Sequence, residues 1–255
     1  GYVGIWLDCL REGNDKCRGA PGAYEKAMKG IENCVAVGQR VGLRFTINQH
    51  NARELDKIFD FIEAENINRV CFYHLVYSGR GEAMVHDDLT HEESRAAMDT
   101  IIRRTKDYEA RGLQKEILTV DNHCDGIYMY LKAKEAGDDA AAEQIMKYLS
   151  MNGGNRSGIA FGEVDPLGYV HPAQFTQHHT FGNVRERAFG DIWQDVTNPI
   201  MAGLKDRKPL LKGRCAKCKW LDRCNGNFRT RAEAVTGDFW ASDPACYLTD
   251  EEIGL

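Results

Sequence analysis

Apolar positions recur along the first 120 residues with two alternating periods. The opening run GYVGIWLD is a nearly continuous apolar, β-rich stretch and predicts a buried strand. Tyr24, Ala27, Ile31, Cys34 and Val35 then fall at helical spacing up to Gly38. VGLRFTIN predicts a second strand, and Asn51 with Glu54 three residues on predicts a capped helix, along which Leu55, Ile58, Phe59 and Ile62 form one stripe. RVCFYHLVY is a third strand, Thr90 and Glu93 open a helix reaching about Arg111, and KEILTV is a fourth strand. The βαβαβαβ order predicts an α/β fold with a parallel sheet covered by helices. Ligands of such sheets sit at the carboxyl ends of the strands, which draws attention to Asp8, Asn48, the stretch from His74 to Arg80, and Asp121 to Asp125.

The pattern changes after residue 125. Two helices are expected over about 125 to 150. A β-hairpin follows from GIAFGEV, the turn DPLG and YVHPAQF. FGDIWQDV and NPIMAGLKD read as short helices, and a cysteine-rich segment closes the chain. The expected organisation is residues 1–125, 126–200 and 201–255. No repeat or low-complexity tract interrupts it.

Composition narrows the function. Apolar residues make up 43% and charged residues 28%, the balance of a globular protein. A net charge of -5 argues against a broad nucleic-acid surface. No apolar run is long enough to span a bilayer, and no signal-peptide pattern opens the chain. A cytoplasmic location is therefore expected, in which nine cysteines read as metal ligands or buried thiols before disulfides. The chain starts without methionine inside an apolar strand, so sequence upstream of it is expected.

Four of the cysteines carry the strongest chemical signal, spaced Cys215-x2-Cys218-x5-Cys224-x21-Cys246. A C-x2-C turn brings two thiolates to one metal centre and two more complete a four-thiolate shell, which zinc and iron–sulfur clusters both accept. The loop around them is polar, unlike a core that merely buries thiols. Two C-x2-C knuckles are usual for structural zinc, and the wider second half here leans toward a cluster. Cys9, Cys17, Cys34 and Cys71 lack ligand spacing and read as buried thiols or local substitutions.

The segment GRCAKCKWLDRCNGNFRTRAEAVTGDFWASDPACYL, with HTFGNVRERAFGDIW, LTVDNHCDG, YHLVYSGRG and VGLRFTINQHNARELDKIFDFIE upstream, resembles radical SAM enzymes that modify tetrapyrrole side chains in heme and heme d1 biosynthesis. The resemblance covers nearly the whole chain. It implies the C-terminal half of a partial (βα)6 radical SAM barrel followed by a SPASM-like extension, with a [4Fe–4S] auxiliary cluster on Cys215, Cys218, Cys224 and Cys246. It implies S-adenosyl-L-methionine as cofactor, with Asp8 near its ribose, Arg18 near its carboxylate, Asn48 beside it, and Leu75, Val76 and Tyr77 along the adenine. The family's C-x3-C-x2-C loop, which holds a second [4Fe–4S] cluster, occurs nowhere in these 255 residues and is expected upstream, so the chain alone is expected to be inactive. Trp6 stands where relatives tend to have a small polar residue, Cys9 where they have glycine, and Cys17 where they have an aromatic one.

The implied substrate is an anionic iron tetrapyrrole, and arginine recognises its carboxylates through charge-assisted pairs. Arg80 and Arg156, both flanked by glycine, are the preferred candidates over Arg185 and Arg187. His123, His171, His178 and His179 are candidates for an axial ligand or a proton, with His123 first. The implied reaction is oxidative decarboxylation of iron-coproporphyrin propionates to vinyls. Removal of propionates on the way to heme d1 is the alternative, and loss of acetate groups the third. A flavodoxin or ferredoxin is the implied electron donor. A zinc-stabilised binding module without catalysis is the reading from a different class.

Overall fold

A computed structural model describes residues 1–255. They form two compact units, one made of Gly1–Leu75 with Val85–Asn122, the other of Val76–Met84 with His123–Leu255.

The first unit is built on a four-stranded parallel sheet in the order β1 (Val3–Trp6), β2 (Val41–Thr46), β3 (Arg69–Tyr73) and β4 (Glu116–Val120). Register runs without a bulge, with Val3 beside Val41, Gly42 beside Arg69, and Arg69 beside Glu116. The crossovers carry helices α1 (Glu12–Arg18) and α2 (Ala23–Ala36), α3 (Leu55–Ala64), and α4 (His91–Ala110). The stripe on α3 is the buried one: Leu55, Ile58, Phe59 and Ile62 pack inward with Phe45, Val70 and Phe72 of the strands. Phe59 stacks on Phe72 at 5.3 Å, and Tyr108 of α4 donates its hydroxyl to the Phe59 carbonyl at 2.5 Å. Each such side chain contributes about 1.5–3 kcal/mol by leaving water, so this seam holds helix to sheet.

Two local expectations resolve differently. Thr90 and Glu93 do form a reciprocal capping box on α4. Asn51, expected to cap α3, does not. Its amide nitrogen donates to the carbonyls of Asp8 at 2.8 Å and Thr46 at 2.7 Å, and its oxygen accepts the Asn48 N–H at 2.8 Å. A short 3₁₀ turn, Ala52–Glu54, leads into α3 instead. The side chain has been drawn to orphaned backbone groups at the strand ends, a stronger demand than a helix terminus facing water. Helix α1 was not anticipated; it carries no apolar stripe.

The second unit is mostly helical: α5 (Cys124–Glu135), α6 (Asp139–Asn152), α7 (Phe189–Gln194), α8 (Pro199–Lys205), α9 (Gly213–Lys217), α10 (Leu221–Cys224), α11 (Arg229–Thr236) and α12 (Asp250–Ile253). The hairpin shrinks to two-residue strands, β5 (Glu163–Val164) and β6 (Val170–His171). Asp165 organises its turn by accepting the N–H groups of Leu167 and Tyr169. Residues 126–200 and 201–255 pack within this one unit. Arg207 reaches back to Asn155 at 3.2 Å and to the Ser157 carbonyl at 2.6 Å, and Asn225 donates to the Asn155 carbonyl at 2.7 Å.

Replacing Asn51 with alanine is expected to strand the Asp8 carbonyl and the Asn48 N–H, leave the Thr46 carbonyl only the 3.4 Å bond from Asn48 Nδ2, and lower the unfolding free energy by about 3 kcal/mol, given about 1–3 kcal/mol for each unsatisfied group. Urea denaturation followed by circular dichroism reads this directly; a loss below about 1 kcal/mol would mean that water replaces the amide.

Candidate metal centre

The four spaced cysteines come together in the second unit. Cys215 lies on α9, Cys218 follows its end, Cys224 closes α10, and Cys246 follows a turn closed by its N–H to the Asp243 carbonyl. All four line one cavity with Ile127, Leu248 and Ile253, and a fifth cysteine, Cys124 at the start of α5, lines it too. The neighbouring Cys124 lowers the Cys246 thiol, whereas burial raises Cys124. Burial also raises Cys218 and pushes Cys224 up to about 12. Sequence reading passed over Cys124 because its partner lies over a hundred positions away.

Backbone geometry fixes this nest. Gly154 has φ +73°, and a Cβ there would fall 2.2 Å from the Cys224 carbonyl carbon, while the Asn155 N–H donates to the Cys224 carbonyl at 3.1 Å. The Trp220 N–H points at Cys218 Sγ at 3.3 Å, and the Cys215 N–H at Ser242 Oγ at 3.2 Å. Arg214 clamps the last strand of chain, donating to the carbonyls of Cys246 and Leu248 and pairing with Asp250 at 2.9 Å.

Three arginines are buried around the cysteines. Arg231 and Asp243 form a fully enclosed pair at 2.8 Å. Burial works against the Asp243 carboxylate, yet Arg231 holds its pKa below the ordinary value. Arg229 donates to the carbonyls of Phe239, Ala241 and Gly226, and Arg207 to Asn155, Ser157 and Asn225. The Nε atoms of Arg207 and Arg229 are buried without an acceptor, and burial lowers Arg207 to about 10, which leaves it charged at neutral pH. A Cys224 thiolate would favour the Arg207 charge, and thiolates at Cys215 and Cys224 that of Arg229. Soft sulfur donors converging on one cavity beside uncompensated positive charge fit an anionic four-thiolate metal site.

The other predicted residues are dispersed. In the first unit Asp8, Arg18 and Asn48 share one network at the strand ends. Asp8 accepts the Thr46 N–H at 3.0 Å on one oxygen and pairs with Arg18 at 2.6 Å on the other. Asn48 is buried, and its side-chain oxygen accepts the His50 N–H at 2.9 Å. Trp6, 39% exposed, lies 4.9 Å from Tyr73 with the Arg18 and Arg44 guanidinium groups over its ring. Leu75, Val76 and Tyr77, in the segment after β3, are buried. In the second unit Arg80 and Arg156 are exposed. His123 stacks on Phe228 at 5.8 Å; burial, with Arg231 nearby, lowers it to about 4, so the ring is neutral at pH 7. Arg187 pairs with Asp195, and Arg185 donates to the Pro166 carbonyl. Both serve local structure.

Cys17 departs from the expectation of a buried thiol. Cys9 is buried, but Cys17 is exposed, and the two are hydrogen-bonded. The bond from Cys9 lowers Cys17 to about 7.

No family model matches the chain. It is 57% identical over 256 residues to a Methanosarcina barkeri protein named Fe-coproporphyrin III synthase, covering 99% of this chain and 64% of that protein. A Dinoroseobacter shibae protein named pre-heme d1 synthase is 40% identical, covering 99% and 63%. A Methanosarcina barkeri AdoMet-dependent heme synthase is 29% identical, covering 92% and 64%. Over nearly its whole length the chain is thus similar to proteins named for steps of heme and heme d1 formation. It spans 64% and 63% of the length of the first two relatives. The fold agrees: anSMEcpe with bound AdoMet and Cp18Cys peptide matches with a TM-score of 0.67 at 16% identity, over 96% of this chain and 64% of that one. SuiB of Streptococcus suis bound to S-adenosylmethionine matches at 0.65 and 16%, over 96% and 53%. The sheet is thus part of a radical SAM barrel.

Two outcomes test the site. Replacing Arg231 with methionine should destabilise the second unit by about 3–5 kcal/mol, because Asp243 is left buried and unpaired, and replacing Asp243 with asparagine in that background should restore part of the loss. With a pKa near 7, Cys17 should be the first thiol carboxamidomethylated by iodoacetamide at pH 7, and Cys9→Ala should slow it about fivefold as the thiolate fraction falls. Peptide mass mapping over time checks both rate and order; equal rates would remove the Cys9 effect.

Proposed function

We propose that the chain serves a radical SAM enzyme that remodels the side chains of an iron tetrapyrrole, with an auxiliary [4Fe–4S] cluster held by Cys215, Cys218, Cys224 and Cys246. The observation that carries this reading is the shared cavity of four cysteines beside the buried, acceptor-free Nε atoms of Arg207 and Arg229. Bound there, such a cluster supplies one-electron redox chemistry, which zinc does not.

The chain's own residues take the following parts. The Asp8 carboxylate and the Asn48 amide, at strand carboxyl ends, offer acceptors and donors to the ribose and amino-acid portions of S-adenosyl-L-methionine. Arg18 lies where it can trade its pairing with Asp8 for the cofactor's carboxylate. Leu75, Val76 and Tyr77 offer apolar backbone and ring surface to the adenine. Arg80 and Arg156, exposed and flanked by glycine, pair with substrate carboxylates. His123, neutral at pH 7, presents a lone pair or an N–H to the substrate without adding charge. A flavodoxin or ferredoxin in the cytoplasm is the electron donor of this reading. No helix is long and apolar enough to cross a membrane.

Identity orders the reactions. The 57% match to a protein named for making iron-coproporphyrin III favours formation of that compound. The heme d1 branch follows, with the 40% match to pre-heme d1 synthase, and oxidative decarboxylation of iron-coproporphyrin propionates to vinyls is supported by the 29% match to AdoMet-dependent heme synthase.

Anaerobically purified protein reconstituted with iron and sulfide should hold about four irons and four sulfides per chain, with the broad visible absorption of a cluster, lost in Cys218→Ala. One tightly held zinc and no sulfide after reconstitution would overturn the cluster reading and leave a zinc-stabilised module.

A further inference from the structure

A second set of metal-seeking side chains converges in the same unit, and it shares no residue with the cysteine cavity. His178 and His179 follow β6, in a turn closed by the His179 N–H to the Thr176 carbonyl at 3.0 Å. Glu233 reaches them from the middle of α11. His178 Nε2 lies 2.8 Å from one Glu233 oxygen, and His179 Nε2 lies 2.9 and 3.1 Å from the two. One nitrogen from each ring and a carboxylate oxygen all fall within 4.8 Å of one another.

We propose that His178, His179 and Glu233 form a second metal site, binding a divalent first-row ion of the zinc or ferrous type. Ligand bonds of about 2.0–2.2 Å at a tetrahedral angle put neighbouring donor atoms about 3.4 Å apart, so groups now 2.8–3.1 Å apart need to open by only a few tenths of an ångström to admit an ion. Two imidazoles and one carboxylate select zinc or iron over magnesium or calcium, which prefer all-oxygen shells. The scaffold holds part of the set rigid. His171 Nδ1 bonds the His179 carbonyl at 2.9 Å, and the His179 ring meets Phe239 edge-on at 5.2 Å. His178, with 55% of its side chain exposed, has room for the rotation that closes the shell. Its open side leaves coordination positions for water or a substrate carboxylate, as in sites with three protein ligands. The two sites also divide metals by softness: thiolates take the cluster, imidazole and carboxylate take the borderline ion.

The test uses the full chain with its cysteine site first loaded with iron and sulfide, contents that report on the cluster reading separately. After chelator treatment, zinc is titrated by calorimetry and the bound ion examined by zinc X-ray absorption. About one further zinc per chain is expected, in a shell of nitrogen and oxygen near 2.0–2.1 Å with imidazole scattering and no sulfur near 2.3 Å. His178→Ala and Glu233→Gln should each weaken it at least about tenfold, as loss of one of three ligands requires, with iron content unchanged. Absence of zinc binding, sulfur in the shell, or unchanged affinity in both variants would overturn the site and leave the histidines as hydrogen-bonded anchors of their loop.

Discussion

Positive charge enclosed beside cysteine sulfur is the constraint around which the second unit is organised. Moving a guanidinium out of water costs several kcal/mol even after relaxation. Arg231 meets this with Asp243, at no exposure on either side chain. Arg207 and Arg229 use backbone carbonyls, whose partial charges compensate only in part, and each keeps one buried N–H without an acceptor. An apolar cavity of protonated thiols offers them little. Four thiolates around a metal core would reverse that, because their net negative charge would sit where both guanidinium groups gain from it. A metal bound there would couple the ordering of residues 207–246 to its loading, as in other sites where ligands deprotonate only when the ion arrives.

The first unit solves a different problem, the termination of parallel strands. Backbone groups at strand ends lose their ladder partners, and here side chains supply them. Asp8 receives the Thr46 N–H, and Asn51 serves Asp8, Thr46 and Asn48 at once. The polar groups that complete the sheet therefore sit at the carboxyl edge, where ligands of such folds bind. A cofactor arriving there would meet side chains already oriented by the sheet, which reduces the ordering that binding has to impose.

Legibility in the sequence followed the range of the interaction. The stripe on α3, the Thr90–Glu93 box and the four strands are set by neighbours within a turn or a pleat, and they stand where periodicity puts them. The C-x2-C-x5-C spacing is local as well, so the cysteine site was readable. Asn51 looked like a cap because its actual partner, the Asp8 carbonyl, is 43 positions away. Cys124, and Glu233 opposite two adjacent histidines, escaped for the same reason. The buried arginines are harder still. Arginine in sequence reads as surface, and only the closing of the cysteine loops over Arg207 and Arg231 makes them interior.

The number of thiols at the cavity bears on what occupies it. A tetrahedral ion or a cubane cluster takes four sulfur ligands, yet five cysteines line the space. Cys124 is the one contributed by a long helix rather than by the looped segment, and its Sγ lies 4.0 Å from the Ala245 carbonyl, next to Cys246. Turned from that carbonyl toward a ligand sulfur, the thiol would draw electron density from it. In an iron–sulfur centre, hydrogen bonds to sulfur raise the reduction potential and ease acceptance of an electron. In a structural zinc site the same bond has no redox consequence. A buried fifth thiol beside one of the four cysteines would therefore tune a centre whose potential matters and would do nothing for one that only fastens loops together.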